Sequence, residues 1–215
     1  MCSRKMFSTY SIDVSPAHVH RQNAWKTSFS PYLSYMSVLK LIHRALSDGD
    51  LHAILGSDLK IIKYSQLSEY SNLSELLPKP LDYCIILYEE MSNSGHWTAL
   101  SRSDGRYEHF DSYGVAPDTE LHWINLKVRA KLNEVTPSLS NLLKEESYIY
   151  NTVHYQSKDH SVNTCGSHVA HRLYCLKNKG MNLPRYHDYM AQLKKDTQSS
   201  YDYIVSEFVS GVRAP

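Results

Sequence analysis

The sequence predicts an α+β fold in which helices flank a small central sheet, mixed or antiparallel. Three observations support it: a helical apolar period before residue 80, strand-like segments clustered between residues 81 and 111, and helical periods again after residue 165. The 215 residues fit one domain, which we place at 31–215. Residues 1–30 are polar, show no clear period and are predicted to form a partly irregular N-terminal arm.

The first predicted helix begins at Pro31 and reaches about Leu46, with Ser30 as its N-cap. Apolar side chains at spacings of three and four define its buried face: Leu33, Met36, Leu39, Ile42 and Leu46. The Asp-Gly-Asp sequence at residues 48–50 ends this helix, and residues 67–77 predict a weaker second helix before two prolines.

Strand patterns fill the middle of the chain. Residues 81–89 (LDYCIILYE) are typical of a buried strand, and residues 96–102 (HWTALSR) alternate as a second strand. Residues 106–111 (RYEHFD) predict a third strand, joined to the second by a hairpin turn centred on Asp104-Gly105. Residues 147–156 (SYIYNTVHYQ) predict a fourth strand.

The remaining segments predict helices. Residues 119–145 are expected to be helical in two pieces, broken near Pro137. A helix over 165–177 has an apolar face and ends at Gly180, a typical C-terminal stop. Residues 186–208 predict a single final helix.

The composition excludes several classes of protein. Lys and Arg number 23 against 22 Asp and Glu, so the net charge of +1 creates no general attraction for nucleic acid. A hydrophobic fraction of 42% argues against intrinsic disorder. The sequence contains no apolar run near the roughly 20 residues of a membrane helix, and no apolar stretch typical of a signal peptide follows Arg4 and Lys5. We therefore expect a soluble, intracellular protein that is not secreted.

The cysteines do not predict a disulfide scaffold, because four irregularly spaced residues without a CxxC pair are few for this length: Cys2, Cys84, Cys165 and Cys175. A C-x2-H-x2-H-x3-C pattern is formed by Cys165, His168, His171 and Cys175. On one helix these side chains cannot surround a single ion tetrahedrally, so we predict neither a metal nor another cofactor.

Three reactive side chains lie at the ends of predicted elements, where a rigid scaffold can present them to a cleft. His96 begins a strand, Asp111 ends the next strand of the same hairpin roughly opposite it, and Cys165 begins a helix after Asn163 and Thr164, either of which could be the N-cap. A helix N-terminus and a neighbouring imidazolium both stabilise a thiolate. A carboxylate on the other ring nitrogen fixes the tautomer of the imidazole.

The sequence around these positions, GHWTAL, FDSYG and NTCGSH, resembles the adenain-like and SUMO-processing (Ulp-type) cysteine proteases. Members of that superfamily carry His, an acid and Cys in this order, and the dipeptides His96-Trp97, Asp111-Ser112 and Cys165-Gly166 match it. The resemblance covers roughly residues 30–180 and looks closest to the maturation proteases of adenovirus-like elements and large DNA viruses. It implies a papain-type arrangement with the catalytic Cys at the N-terminus of a helix.

The resemblance implies that Cys165 is the nucleophile, His96 the general base and acid, and Asp111 the residue that orients His96. It also implies a Gln whose amide stabilises the oxyanion. Gln156 is the candidate, although it lies nine residues before Cys165, farther than is usual in the superfamily, so the intervening loop must bulge. Asn163 is the alternative amide.

A further implied role belongs to Trp97, which would cover a narrow channel that admits only substrate residues without a bulky Cβ substituent, and so selects Gly. Packing in the core is the competing interpretation of this residue.

The implied function is a viral maturation endopeptidase that cleaves precursor proteins at small-residue, Gly-containing sites. The first alternative is an isopeptidase that removes ubiquitin-like modifiers. Acetyl transfer from acetyl-CoA at a similar site and a non-catalytic binding module are further alternatives. The expected partners are protein substrates, either capsid or core precursors or ubiquitin-like conjugates, with an activating peptide or DNA left open. The expected location is the host cytoplasm or nucleus and the virion, without a membrane.

Overall fold

A five-stranded mixed sheet lies at the centre of the computed structural model, which describes residues 31–80 and 82–213, without the side chains of 31–35 and 213. The strands are β1 (Lys60–Lys63), β2 (Tyr83–Met91), β3 (Ser94–Ser103), β4 (Arg106–Phe110) and β5 (Tyr148–Tyr150). Their order in the sheet follows the chain. The two outer pairs are parallel and the two inner pairs antiparallel. The predicted class, α+β with a mixed sheet flanked by helices, is confirmed.

Helices cover both faces of the sheet. They are α1 (Pro31–Ile42), α2 (Asp48–Leu55), α3 (Leu73–Leu76), α4 (Leu126–Leu132), α5 (Ser138–Leu143), α6 (Cys165–Lys179), α7 (Leu183–Thr197) and α8 (Tyr201–Arg213), with 3-10 helices at Tyr64–Glu69 and Thr119–His122. One hydrophobic cluster joins the sheet to α2, α6, α7 and α8, and a second joins its other face to α3, α5 and the 3-10 helices. None of the described helices has both the length and the apolar character needed to cross a membrane.

The hairpin between β3 and β4 fixes the register of the central strands. Asp104 and Gly105 have φ angles of 50° and 75°, the left-handed conformation that a two-residue hairpin turn requires at both positions. The turn pairs Ser103 with Arg106. The predicted Asp-Gly turn is therefore confirmed, and Gly180, with a φ of 57°, ends α6 as predicted.

The segments on either side of the site differ from their predicted structure. The predicted strand over residues 147–156 is wrong beyond Tyr150, because the side chain of Asn151 bonds to the backbone N–H and carbonyl of Val153 and turns the chain. The predicted single helix over residues 186–208 is interrupted at Gln198, whose φ of 54° is incompatible with a continuous helix. The short parallel strand β1 is not predicted by the sequence.

The first helix is shorter than predicted, and Met36 of its predicted buried face is exposed. It ends at Ile42, and α8 packs against it. Met36 is 52% exposed, whereas Val38 is fully buried. The predicted helix over 67–77 is a 3-10 helix followed by α3, and the helical region 119–145 does break near Pro137, but into a 3-10 helix, α4 and α5. The predicted arm over residues 1–30, with Cys2 and the N-cap Ser30, lies outside the described residues.

Candidate active site

His96 and Asp111 meet across the central hairpin. The paired register of β3 and β4 ends at Ala99 and Phe110, and its continuation places Asp111 opposite Thr98. Asp111 is thus diagonal to His96 on the same face of the sheet, within reach of its side chain, rather than opposite it. The distance from His96 Nε2 to Asp111 Oδ2 is 2.6 Å, and the carboxylate is fully buried.

The turn after β4 holds the Asp111 carboxylate in place. The backbone N–H of Tyr113 donates to Asp111 Oδ1 at 2.6 Å, so each carboxylate oxygen has its own partner. The Asn151 side chain donates to the Asp111 carbonyl at 2.5 Å. A Cβ on Gly114, where φ is 74°, would lie 2.8 Å from the carbonyl carbon of Val153, so only Gly permits this approach. Asp111 therefore both forms the turn and orients His96.

Cys165 is the first residue of α6, at a helix end that no side chain caps. Thr164 occupies the N-cap position, but its hydroxyl donates to Asp202 rather than to the helix. The first helical bond runs from His168 N–H to the Thr164 carbonyl. Of the two predicted N-cap candidates, Asn163 is wrong, and the positive end of the helix dipole faces the Cys165 thiol.

The His96 ring and the Cys165 thiol lie near enough for each to shift the pKa of the other. Because Nε2 faces Asp111, Nδ1 is the nitrogen left for Cys165. Burial raises the pKa of Cys165, but the hydrogen bond and charge of His96, with the backbone N–H groups of Trp97 and Gly166, outweigh burial and lower the pKa below its usual value. Burial lowers the pKa of His96, yet Asp111 and Cys165 together raise it well above its usual value. Both shifts favour a thiolate–imidazolium pair.

Cys84 and Cys175 are buried cysteines that lie neither at a helix start nor beside a charged imidazole. Burial raises the pKa of Cys84 to about 12 and that of Cys175 to about 11. Both side chains are fully buried, as predicted for small hydrophobic residues. The location of Cys165 at a helix start beside His96 thus distinguishes it chemically from the other two described cysteines.

Trp97 and Gly166 bring α6 against β3. The Trp97 indole is 5% exposed and donates to the Leu46 carbonyl at 3.0 Å. A Cβ on Gly166 would lie 3.2 Å from Trp97 Cδ1 and 3.0 Å from Leu46 Cβ, so a larger residue would force these neighbours to move by a few tenths of an ångström. Trp97 also borders a cavity of about 210 Å³ whose lining includes Lys63. Its role over a substrate channel stays a prediction.

Gln156 is buried beside the turn that carries Asp111. Its Oε1 accepts a hydrogen bond from Ser112 Oγ at 2.7 Å, which fixes the orientation of the amide, and Nε2 donates to the Val162 carbonyl at 3.3 Å. The amide carries a second N–H on Nε2. By contrast, Asn163 is exposed, and its Nδ2 donates to the His43 carbonyl at 3.0 Å. These contacts favour Gln156 as the oxyanion donor, which remains a prediction.

Glu120 is a site residue that the sequence analysis misses. It lies in the second 3-10 helix, 1% exposed, and a carboxylate oxygen of Glu120, one of Asp111 and a ring nitrogen of His96 lie within 4.8 Å of one another. Burial and the neighbouring Asp111 raise the pKa of Glu120 to about 10, so it is protonated at neutral pH. Its segment has no periodic pattern, and no sequence signal marks this acid.

His96, Asp111 and Glu120 also form a candidate set of metal ligands within the described residues. Ligands of one zinc ion each lie about 2.0–2.2 Å from it and therefore stand farther from one another than a hydrogen bond allows. The 2.6 Å between His96 Nε2 and Asp111 Oδ2 is a hydrogen-bond distance, and a protonated Glu120 is a poor ligand. The arrangement fits an acid–base pair better than a metal centre. On α6, His168 bonds to Asp202 and His171 to Tyr186.

Comparison with known proteins gives one informative similarity. No protein-family model matches the sequence. The chain is 35% identical over 132 residues to the uncharacterized protein V9 of Sputnik virophage, an alignment that covers 60% of this chain and 75% of V9. A relative of this chain is therefore a viral protein, and its name states no activity.

We expect Cys165 to react with iodoacetamide near neutral pH at least about 100-fold faster than Cys84 or Cys175, because the alkylation rate follows the thiolate fraction. His96→Ala should remove most of this advantage, since burial then dominates the pKa of Cys165. Mass-spectrometric mapping of labelled peptides over time measures each rate within one sample. Equal labelling of the three cysteines in the folded protein would contradict the thiolate–imidazolium pair.

We expect Glu120→Gln to change how stability depends on pH. The folded-state pKa of Glu120 is raised, so its contribution to stability is complete below the unfolded pKa of about 4.3 and is lost as pH rises toward about 10. Each pH unit in this window costs the wild type up to about 1.4 kcal/mol, and a Gln removes that slope.

Urea unfolding of both proteins at pH 6 and pH 8 measures the free energy of unfolding at each pH. Between these two pH values, the wild type should lose up to about 2.7 kcal/mol more of this free energy than Glu120→Gln loses. Glu145→Gln, at an exposed carboxylate, is the matched control and should follow the wild type. Parallel pH profiles for wild type and Glu120→Gln would mean that Glu120 is ionised in the folded protein.

Proposed function

We propose that this chain, which belongs to the same family as the uncharacterized protein V9 of Sputnik virophage, is a cysteine endopeptidase with Cys165 as its nucleophile. The observation that carries the proposal is the 2.6 Å bond from the His96 ring to the buried Asp111 carboxylate, with the Cys165 thiol near enough to the same ring for His96 to lower the pKa of the thiol. A nucleophile beside a base that a buried acid orients is the arrangement that thiol catalysis requires.

The proposed reaction begins with attack of the Cys165 thiolate on a substrate carbonyl carbon. The carbonyl oxygen gains negative charge, which the Cys165 backbone N–H and the Gln156 amide stabilise. The tetrahedral intermediate collapses to a thioester, and the His96 imidazolium gives its proton to the leaving amine. Neutral His96 then removes a proton from water, which attacks the thioester and releases the acid and the thiolate. Asp111 holds the ring through both steps.

The motif residues next to the three reactive side chains support the resemblance to adenain-like and SUMO-processing proteases. Gly166 allows α6 to approach Trp97, and Ser112 holds the Gln156 amide by a hydrogen bond. These residues recur in the superfamily's pattern, and each has a physical reason to be present here. This agreement also argues against a non-catalytic binding module, because such a module would not need the complete set of residues around Cys165.

We favour viral precursor proteins as substrates because the relative V9 is a virophage protein. A substrate channel beside Trp97 would select small residues, as Gly-containing cleavage sites require. An isopeptidase acting on ubiquitin-like conjugates would use the same catalytic residues, and so would an acetyltransferase. Incubating the protein with a virophage capsid-precursor peptide, a ubiquitin-like fusion and labelled acetyl-CoA in parallel distinguishes these three functions.

We expect Cys165→Ala to abolish peptide cleavage and Asp111→Asn to lower it by up to about 10⁴-fold while folding normally. An amide at Asp111 keeps the size of the side chain but favours the wrong imidazole tautomer. Product formation from the preferred peptide, followed by chromatography, gives the rates. Cys175→Ala is the matched cysteine control and should retain wild-type turnover. Wild-type activity in Asp111→Asn would reduce Asp111 to a turn residue.

We expect Gln156→Glu to lower kcat by about 10²–10³ with KM little changed, because the donor acts only on the charged oxygen of the transition state. Glu keeps an acceptor for Ser112 but replaces the donating nitrogen, so the bond to the Val162 carbonyl is lost as well. Asn163→Ala should instead change thermal stability, by about 1 kcal/mol or less, through the lost bond to His43. Should the kinetic loss appear in Asn163→Ala and not in Gln156→Glu, Asn163 is the oxyanion donor.

A further inference from the structure

A single side chain of the C-terminal helix binds both ends of the loop between Gln156 and Cys165. The backbone N–H of Ser157 donates to Asp202 Oδ2 at 3.0 Å, and the hydroxyl of Thr164 donates to Asp202 Oδ1. Ser157 directly follows Gln156 and Thr164 directly precedes Cys165. Asp202 is 6% exposed, so these bonds are sheltered from water.

We propose that Asp202 is the positioning residue of the oxyanion hole: its carboxylate fixes the Gln156 amide and the Cys165 backbone N–H relative to each other. The inference rests on the proposed peptidase function. The two donors are nine residues apart in sequence, and a loop of this length does not by itself hold its ends at a fixed separation. One rigid carboxylate bonded to both ends does.

The partners of Asp202 account for its location in the structure. His168 lies one turn into α6, and the distance from its Nε2 to Asp202 Oδ1 is 3.0 Å. Burial raises the pKa of Asp202, but the bonds from His168, Thr164 and Ser157 outweigh burial and lower it, so the group is an ionised acceptor. An Asp in the first turn of a helix also stabilises that helix. The hydrogen bonds of Asp202, however, connect α8 to the loop and to α6.

Other hydrogen bonds hold the middle of the loop and join Asn163 to the end of α1. Asp159 bonds to the backbone and hydroxyl of Ser161, and Asn163 bonds to the residues that follow α1. Neither contact connects the Gln156 end to the Cys165 end. The bond from Gln156 Nε2 to the Val162 carbonyl does span the loop, but at 3.3 Å it is longer than the 3.0 Å bond from Ser157 to Asp202.

Two reactions of the same thiolate separate positioning of the oxyanion hole from formation of the nucleophile. With p-nitrophenyl acetate, the Cys165 thiolate adds to the ester carbonyl, an oxyanion forms, and p-nitrophenolate leaves an S-acetyl cysteine. With iodoacetamide, the thiolate displaces iodide in one step and forms a thioether without an oxyanion. A residue that positions only the oxyanion donors affects the first reaction and not the second.

The experiment uses the full chain and the variants Asp202→Ala, Asp202→Asn and Thr164→Val. We expect Asp202→Ala to slow acylation by about 100-fold and to leave alkylation within about threefold of wild type. Thr164→Val, which removes one of the two loop bonds, should slow acylation less, and Asp202→Asn, which keeps one acceptor oxygen, should recover part of the loss. Val209→Ala, a buried change on the same helix, is the control and should leave the ratio of the two rates unchanged.

Each outcome decides the inference. If Asp202→Ala is too unstable to purify, Thr164→Val and Asp202→Asn test the same bonds. Equal slowing of acylation and alkylation, or no slowing of either, would overturn the positioning role and leave the proposed function standing. Rapid alkylation of wild-type Cys165 without any acylation would contradict the proposed function itself, and the inference with it.

Discussion

The hydrogen bond between buried Asp111 and His96 is the interaction on which the rest of the site depends. A carboxylate without contact with water stays ionised only if its neighbours replace the lost hydration. His96 supplies a positive charge at 2.6 Å and the Tyr113 N–H supplies a donor, so the pKa of Asp111 stays well below its usual range despite burial. The protonated Glu120 adds no second negative charge beside it. In turn, Asp111 keeps His96 charged and oriented toward Cys165.

Backbone geometry delivers these side chains from distant parts of the chain. The Asp104-Gly105 turn sets the register that makes His96 and Asp111 diagonal neighbours. Gly166 lets the start of α6 approach β3 closely enough for Cys165 to reach the imidazole. No side chain caps the first turn of α6, so no capping oxygen lies at the positive end of the helix dipole. That end of the dipole therefore acts on the Cys165 sulfur. Substitutions at such supporting positions should therefore impair the site without touching a reactive atom.

The described cysteines illustrate how environment decides the chemistry of one residue type. Cys84 and Cys175 are as buried as Cys165, and burial raises the pKa of both thiols. Only Cys165 combines a helix start with a neighbouring imidazolium, which reverses the effect of burial on its pKa. Cys175 also approaches a histidine, His171, but burial lowers the pKa of that ring to about 3, so the pair stays neutral.

The sequence by itself determined the α+β class, the Asp104-Gly105 hairpin and the helix that begins at Cys165, because turn residues and apolar periods are local signals. Its motifs also indicated His96 and Asp111 as candidates. Only the tertiary structure decided that the chain leaves the sheet after Tyr150, and that Glu120 and Asp202 reach the site. Both acids act through contacts with segments far away in the chain. Such contacts have no fixed spacing, so no pattern of neighbouring residues can record them.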